Sequence, residues 1–187
     1  MEYQVGGNFR LSEIAAALAL VGIERFPAQA KEREEMAAYM DESLSEIKGI
    51  RLLKRDPRHT TRSFYRYIFA IDPKEFGMEH DLLAGALEAE GVESWTGYEA
   101  MNNYTLFQPL KSKLAVPNAF PEYFDFKNMK LPEAELACEH EAVWLGEAIF
   151  RAGPKGVDDV VTAIRKIQRN ADELNEAAEE LRKKYGK

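Results

Sequence analysis

Residues 63–71 read Ser-Phe-Tyr-Arg-Tyr-Ile-Phe-Ala-Ile. Phe64, Tyr65, Tyr67, Ile68 and Phe69 all favour extended backbone, so this segment is predicted to be the clearest strand of the chain. Pro73 lies just beyond it and cannot donate to a sheet ladder. Upstream, residues 50–53 form a short strand candidate. They follow Gly49, which stops a highly charged helix expected from about Ala28 to Glu46, with Met36, Tyr39, Met40 and Leu44 at helical spacing. Downstream, residues 79–90 (EHDLLAGALEAE) predict a helix closed by Gly91, and residues 92–95 predict another strand. Helices flanking a few strands at hairpin-like spacing imply an α+β domain, a small antiparallel sheet covered by helices.

Further out the pattern changes. Residues 13–26 are rich in Ala and Leu, with Ser12 placed to cap a helix and Ala15 at its third position. Ile14, Leu18, Val21 and Phe26 share a face, but apolar residues cover much of the circumference. Such a helix is expected to be buried on most sides and to end, or give way to the next helix, at Pro27. Residues 96–131 lack periodicity and are rich in Asn, Pro, Phe and Tyr; an irregular stretch this long is more often functional or partner-bound than idle. A short helix is expected over 133–141, then a brief apolar segment over 142–145. A last helix starts near Val157, its stripe of Val160, Ile164, Ile167, Ala171, Leu174, Ala178 and Leu181 reading as continuous.

With 187 residues, 45% of them hydrophobic, the chain is long enough to bury a real core. Its formal charge of -7 argues against general nucleic-acid binding, and no apolar run is long enough to suggest a membrane span. The single cysteine, Cys138, excludes an intramolecular disulfide and reads as a buried apolar residue. With no secretory leader pattern at Met1, the expected location is the cytoplasm.

Several constellations invite chemistry. In residues 6–16 (GGNFRLSEIAA), the Gly6-Gly7 pair lets the backbone turn sharply, and Asn8 offers an amide just ahead of a helix N-terminus. Helix N-termini favour anions, so Asn8 reads either as part of a phosphate contact or as part of a capped loop entering a helix. Lys54, Arg55, Arg58, His59, Arg62 and Arg66 form a basic cluster that suits a phosphate or nucleotide-sugar tail; the reading preferred is a solvated loop. Glu139-His140-Glu141 lacks the second histidine of a metalloprotease pattern, Trp144 standing in its place, and no metal site is expected. Phe107, Phe120, Tyr123, Phe124 and Phe126 are expected to anchor the irregular region onto the sheet.

Residues 6–16 resemble the G-x-N-x-R-[LM]-x-x-[IL]-x-A-A motif of DegT-type sugar aminotransferases, which use pyridoxal phosphate on the aspartate aminotransferase fold. Lys31-Glu32-Arg33 with Tyr39, the helix over 82–92, Trp144-Leu145 and residues 160–167 are similar to later, individually weaker family segments, most of all in its cyclitol and inosose branch. The resemblance implies that residues 1–27 are an inter-domain motif and connecting helix, and that 28–187 are the small C-terminal domain. It implies a homodimer in which Asn8 reaches the partner subunit's cofactor phosphate, with Arg10 in a structural role. It also implies an amino-acid donor, a keto-sugar or keto-cyclitol acceptor, and substrate contacts from Tyr98, Asn102 and Asn103. Many relatives carry P-L-H over 100–102; Asn102 stands in the histidine's place, so a titrating imidazole is replaced by an amide. The family's cofactor lysine sits in an S-x-x-K context upstream of the asparagine motif. No lysine stands upstream of Asn8 in that context, so the chain is expected to hold no catalytic residue of its own and not to transaminate alone. Alternatively, it is a binding or dimerisation module derived from the family.

Overall fold

The computed structural model describes residues 10–62, 64–108, 111, 113–124 and 128–185. Asn8 and its glycine pair lie outside the described residues, as does Phe126. In chain order the elements are helix α1 (Glu13–Ser45), strands β1 (Ile50–Leu52) and β2 (Arg66–Ile71), helices α2 (Pro73–Phe76) and α3 (His80–Ala89), and strand β3 (Ser94–Trp95). Short helices α4 (Ala115–Ala119) and α5 (Pro132–Leu136), strand β4 (Ala142–Gly146), and helices α6 (Gly153–Arg169) and α7 (Ala171–Tyr185) follow. The four strands form one antiparallel sheet in the order β1-β2-β4-β3. The α+β expectation holds, and the apolar segment after residue 141 becomes the second central strand.

Alternation decides which sheet face is covered. Tyr67, Phe69 and Ile71 on β2 and Val143 and Leu145 on β4 are buried on one side. Helix α6 lays Val157, Val160, Ile164 and Ile167 against them; α3 adds Leu83 and Leu87, and α1 adds Ala37, Met40 and Leu44. Phe150, in a 3-10 turn after β4, fills the space between α1 and the sheet and meets Tyr67 edge to face at 5.6 Å. Gly49 permits the tight entry to β1: its φ is +81°, and a Cβ there would fall 2.5 Å from the Phe76 nitrogen.

Three expectations are corrected. First, α1 does not break at Pro27; it runs 33 residues with the proline inside. A proline removes one ladder hydrogen bond, but Ala, Leu, Glu and Met on either side favour continuation. Second, the leading half of α1 is not buried. Ile14 is 78% exposed, Leu18 71% and Phe26 53%, because no described element packs there. The Ser12 cap is present: its Oγ accepts from the Ala15 N–H at 3.2 Å. Third, the terminal stripe is interrupted. Asn170 donates its side-chain amide to the Lys166 carbonyl at 2.7 Å and ends α6, and α7 begins anew at Ala171.

The irregular region packs by other means than expected. Phe120 and Tyr123 are exposed and Phe124 is half-buried; among the described residues, Ala100, Asn102 and Pro117 are the buried ones. Cys138 is half-buried, in a π-helical turn over Ala137–Glu141 that sits against β2 and β4. No described helix is long and apolar enough to cross a membrane.

Candidate functional site

Strand β3 is only two residues long, yet it sets the geometry of one sheet edge. Ser94 faces inward, donating its hydroxyl to the Ala84 carbonyl at 2.8 Å. Trp95 therefore faces outward, and its register partner on β4 is Trp144. The two indoles stack with centroids 5.5 Å apart and planes 27° apart. Gly97 follows with φ +82°; a Cβ there would lie 2.5 Å from Trp144 Cε2, so only glycine lets the backbone lie against the indole. That close approach delivers Tyr98, whose ring stands perpendicular to both indoles at 6.1 and 5.4 Å.

A cation completes the group. The Arg66 guanidinium lies 4.5 Å from the Trp95 centroid and 5.3 Å from that of Tyr65. It is ion-paired with Glu93, and Gly146, opposite Arg66 across the strands, leaves room for that carboxylate. The Tyr98 phenol is raised above the ordinary range, first by its hydrogen bond with Tyr65.

The loop turns away after Tyr98. Asn102 is buried and donates its amide to Glu135 Oε1 at 2.6 Å; its own Oδ1 has no partner among the described residues. Glu135 also accepts from the Leu131 N–H, and these two bonds, the backbone one first, hold its carboxyl below the usual value. Asn103 is exposed and donates to Glu139 at 2.9 Å. Thus Tyr98 joins the aromatic group, while both asparagines tie their turn to carboxylates of α5 and the π-helical turn. Sequence reading did not bring Trp95, Trp144, Arg66 and Glu93 to one place. The available signal was a pair of tryptophans, each on an extended segment, with glycine two residues after the first.

The arginines of the basic cluster are paired with carboxylates rather than free. Arg62 bonds Glu34 through its backbone N–H at 3.0 Å and Asp41 through its guanidinium at 2.9 Å; Arg55 pairs with Glu34, and Arg58 with Asp56. Burial opposes the Arg62 charge, but Asp41 and Glu34 outweigh it and raise its pKa.

Comparison with known proteins places this architecture. The model of the DegT/DnrJ/EryC1/StrS aminotransferase family matches residues 1–139. A relative from Micromonospora echinospora, which carries the name L-glutamine:3-amino-2,3-dideoxy-scyllo-inosose aminotransferase, is 32% identical over 176 residues. The alignment covers 92% of this chain and 42% of that protein. A Streptomyces kanamyceticus relative of the same name is 28% identical over 186 residues, covering 93% and 43%. The crystal structure of 3-amino-5-hydroxybenzoic acid synthase superposes with a TM-score of 0.69 at 20% identity, covering 94% of this chain and 42% of that one. The chain spans about two fifths of the relatives it matches and corresponds to their C-terminal part. With more than half its residues inside the family model and the small antiparallel sheet in place, the chain belongs to the DegT/DnrJ/EryC1/StrS aminotransferase family.

Proposed function

We propose that this chain is the substrate-facing C-terminal part of a pyridoxal-phosphate aminotransferase that moves an amino group from an amino acid, glutamine or glutamate, to a keto-sugar or keto-cyclitol. The observation that carries this reading is the 32% identity over 92% of the chain to a relative named as an inosose aminotransferase. The exposed apolar residues of leading α1 support the remainder: Ile14, Leu18 and Phe26 present a surface suited to further protein, either another portion of the enzyme or a second subunit. A division at residue 27 groups that exposed half with the inter-domain connection and the packed half with the small domain.

The described residues do not by themselves fit the cofactor. Pyridoxal phosphate needs an amine for its aldehyde and free donors for its phosphate. One groove includes Lys54, but the neighbouring Arg55 and Arg62 are held by carboxylates; another includes Lys74 among Asp72, Glu79 and Glu141. In this proposal the cofactor amine and most of its cradle come from elsewhere in the enzyme. Asn8 reaches the partner subunit's cofactor phosphate, and Tyr98, Asn102 and Asn103 serve the substrate side, Asn102 from a buried position in which Glu135 holds its amide.

The test is complementation. The chain is produced together with the lysine-bearing N-terminal portion of the Micromonospora echinospora relative and supplied with pyridoxal phosphate, glutamine and scyllo-inosose. An aminated cyclitol, detected by mass, is expected only when both parts are present. If the two parts associate and the cofactor is bound, yet no keto-sugar or keto-cyclitol is aminated, the reading is wrong.

A further inference from the structure

We propose that Tyr98, backed by the Trp95–Trp144 stack and held beside Arg66, is a wall against which the ring of a neutral polyol stacks. This rests on the reading of the chain as the acceptor side of an aminotransferase, and it adds Trp95, Trp144 and Arg66 as residues that build the site.

Four rings meet at one sheet edge, and none belongs to the buried core: Tyr65, Trp95, Tyr98 and Trp144 are all absent from it. Tyr98 is 57% exposed and Tyr65 66%. The chain has only two tryptophans, and both are used here. Core packing therefore does not account for the cluster, whereas small-molecule sites combine aromatic surface with a few polar groups.

The chemistry of the surface narrows the occupant. A six-membered ring with equatorial hydroxyls shows axial C–H bonds on its faces. Those weakly positive hydrogens match the negative face of an aromatic ring. The hydroxyls then project sideways, where water or polar groups at the rim meet them. The nearby cation is already neutralised, since Glu93 holds Arg66, and Arg55 and Arg62 are likewise paired. A phosphate or pyrophosphate would meet the carboxylates already held at these arginines, so an uncharged ring is favoured over a nucleotide-linked one. Arg66 is a positioning residue: its guanidinium lies over Trp95 and Tyr65 and fixes their relation.

Because Trp95 and Trp144 are the only tryptophans, intrinsic fluorescence reads this wall directly. The full chain is titrated with scyllo-inositol, with glycerol as an acyclic polyol and with UDP. A saturable change with scyllo-inositol alone is expected. Tyr98→Ala should weaken its midpoint about three- to tenfold, the size of one aromatic contact. Tyr98→Phe should retain binding, and circular dichroism should show both variants folded. Saturation by UDP with scyllo-inositol silent, or saturation by neither, overturns the inference; so does equal binding by Tyr98→Ala. A saturable fluorescence response without amination in the complemented enzyme leaves the wall standing and sinks the functional reading. Amination with a flat fluorescence response does the reverse.

Discussion

Tyr67, on the central strand β2, donates its phenolic hydrogen to Asp41 Oδ1 on helix α1 at 2.6 Å. Asp41 Oδ2 accepts from Arg62 at 2.9 Å, so one carboxylate ties the long helix to both the strand and the loop before it. Burial first, then Asp41, pushes the Tyr67 phenol far above its ordinary value, which favours the protonated, donating form.

Removing that carboxylate leaves two partly buried donors without an acceptor. Asp41→Ala is expected to cost about 1–3 kcal/mol, and Tyr67→Phe, which removes a donor cleanly, about 1 kcal/mol. Urea unfolding of both single variants and the double variant checks this. Non-additivity is expected, because the two residues share one bond.

Acid should loosen the same region through Glu34. Burial alone would raise this carboxyl, but the Arg62 backbone N–H and the guanidinium groups of Arg62 and Arg55 outweigh it and hold the pKa below 4.5. A group depressed in the folded state adds stability that is fully present above its unfolded pKa and is lost as pH falls through its folded one. The urea midpoint should therefore fall as pH drops below 4.5. Glu34→Gln should be less stable at neutral pH and show a smaller fall across that acid window. A wild-type midpoint flat through that window would contradict the assignment.

Gly97 is a position where the backbone leaves no choice. Gly97→Ala meets both an unfavourable φ of +82° and the Trp144 ring. The expected cost is about 1–3 kcal/mol, with a shift in tryptophan emission as the indole is displaced. A melting temperature and emission maximum equal to wild type would show that the turn accommodates a side chain.

Local signals explain what was legible in sequence. The strand at residues 63–71 and the Gly91 stop are visible because β propensity and a left-handed cap act over a few residues; Gly91 indeed has φ +86°. The path of α1 through Pro27 and the exposure of Ile14 and Leu18 were not, because hydrophobic periodicity identifies an apolar face without identifying what covers it. Nor was the break at Asn170, where one amide captures the Lys166 carbonyl in an otherwise unbroken stripe. Around the candidate site, family resemblance pointed to Tyr98, Asn102 and Asn103. The Trp95–Trp144 pairing depends on strand register, which no local pattern states.

The leading half of α1 supplies a last test. Ile14, Leu18 and Val21 recur at helical spacing, and all three are exposed. Water bears the cost of that apolar surface unless another protein covers it. The isolated chain is therefore expected to self-associate in a concentration-dependent way, measurable by sedimentation velocity. Ile14→Glu with Leu18→Glu should return it to a monomer while changing unfolding stability by no more than about 0.5 kcal/mol, since neither side chain touches the core. A wild-type chain that stays monomeric at high concentration would mean that this half of the helix does not act as a contact surface. The further protein assumed for the whole enzyme would then have to dock on another face.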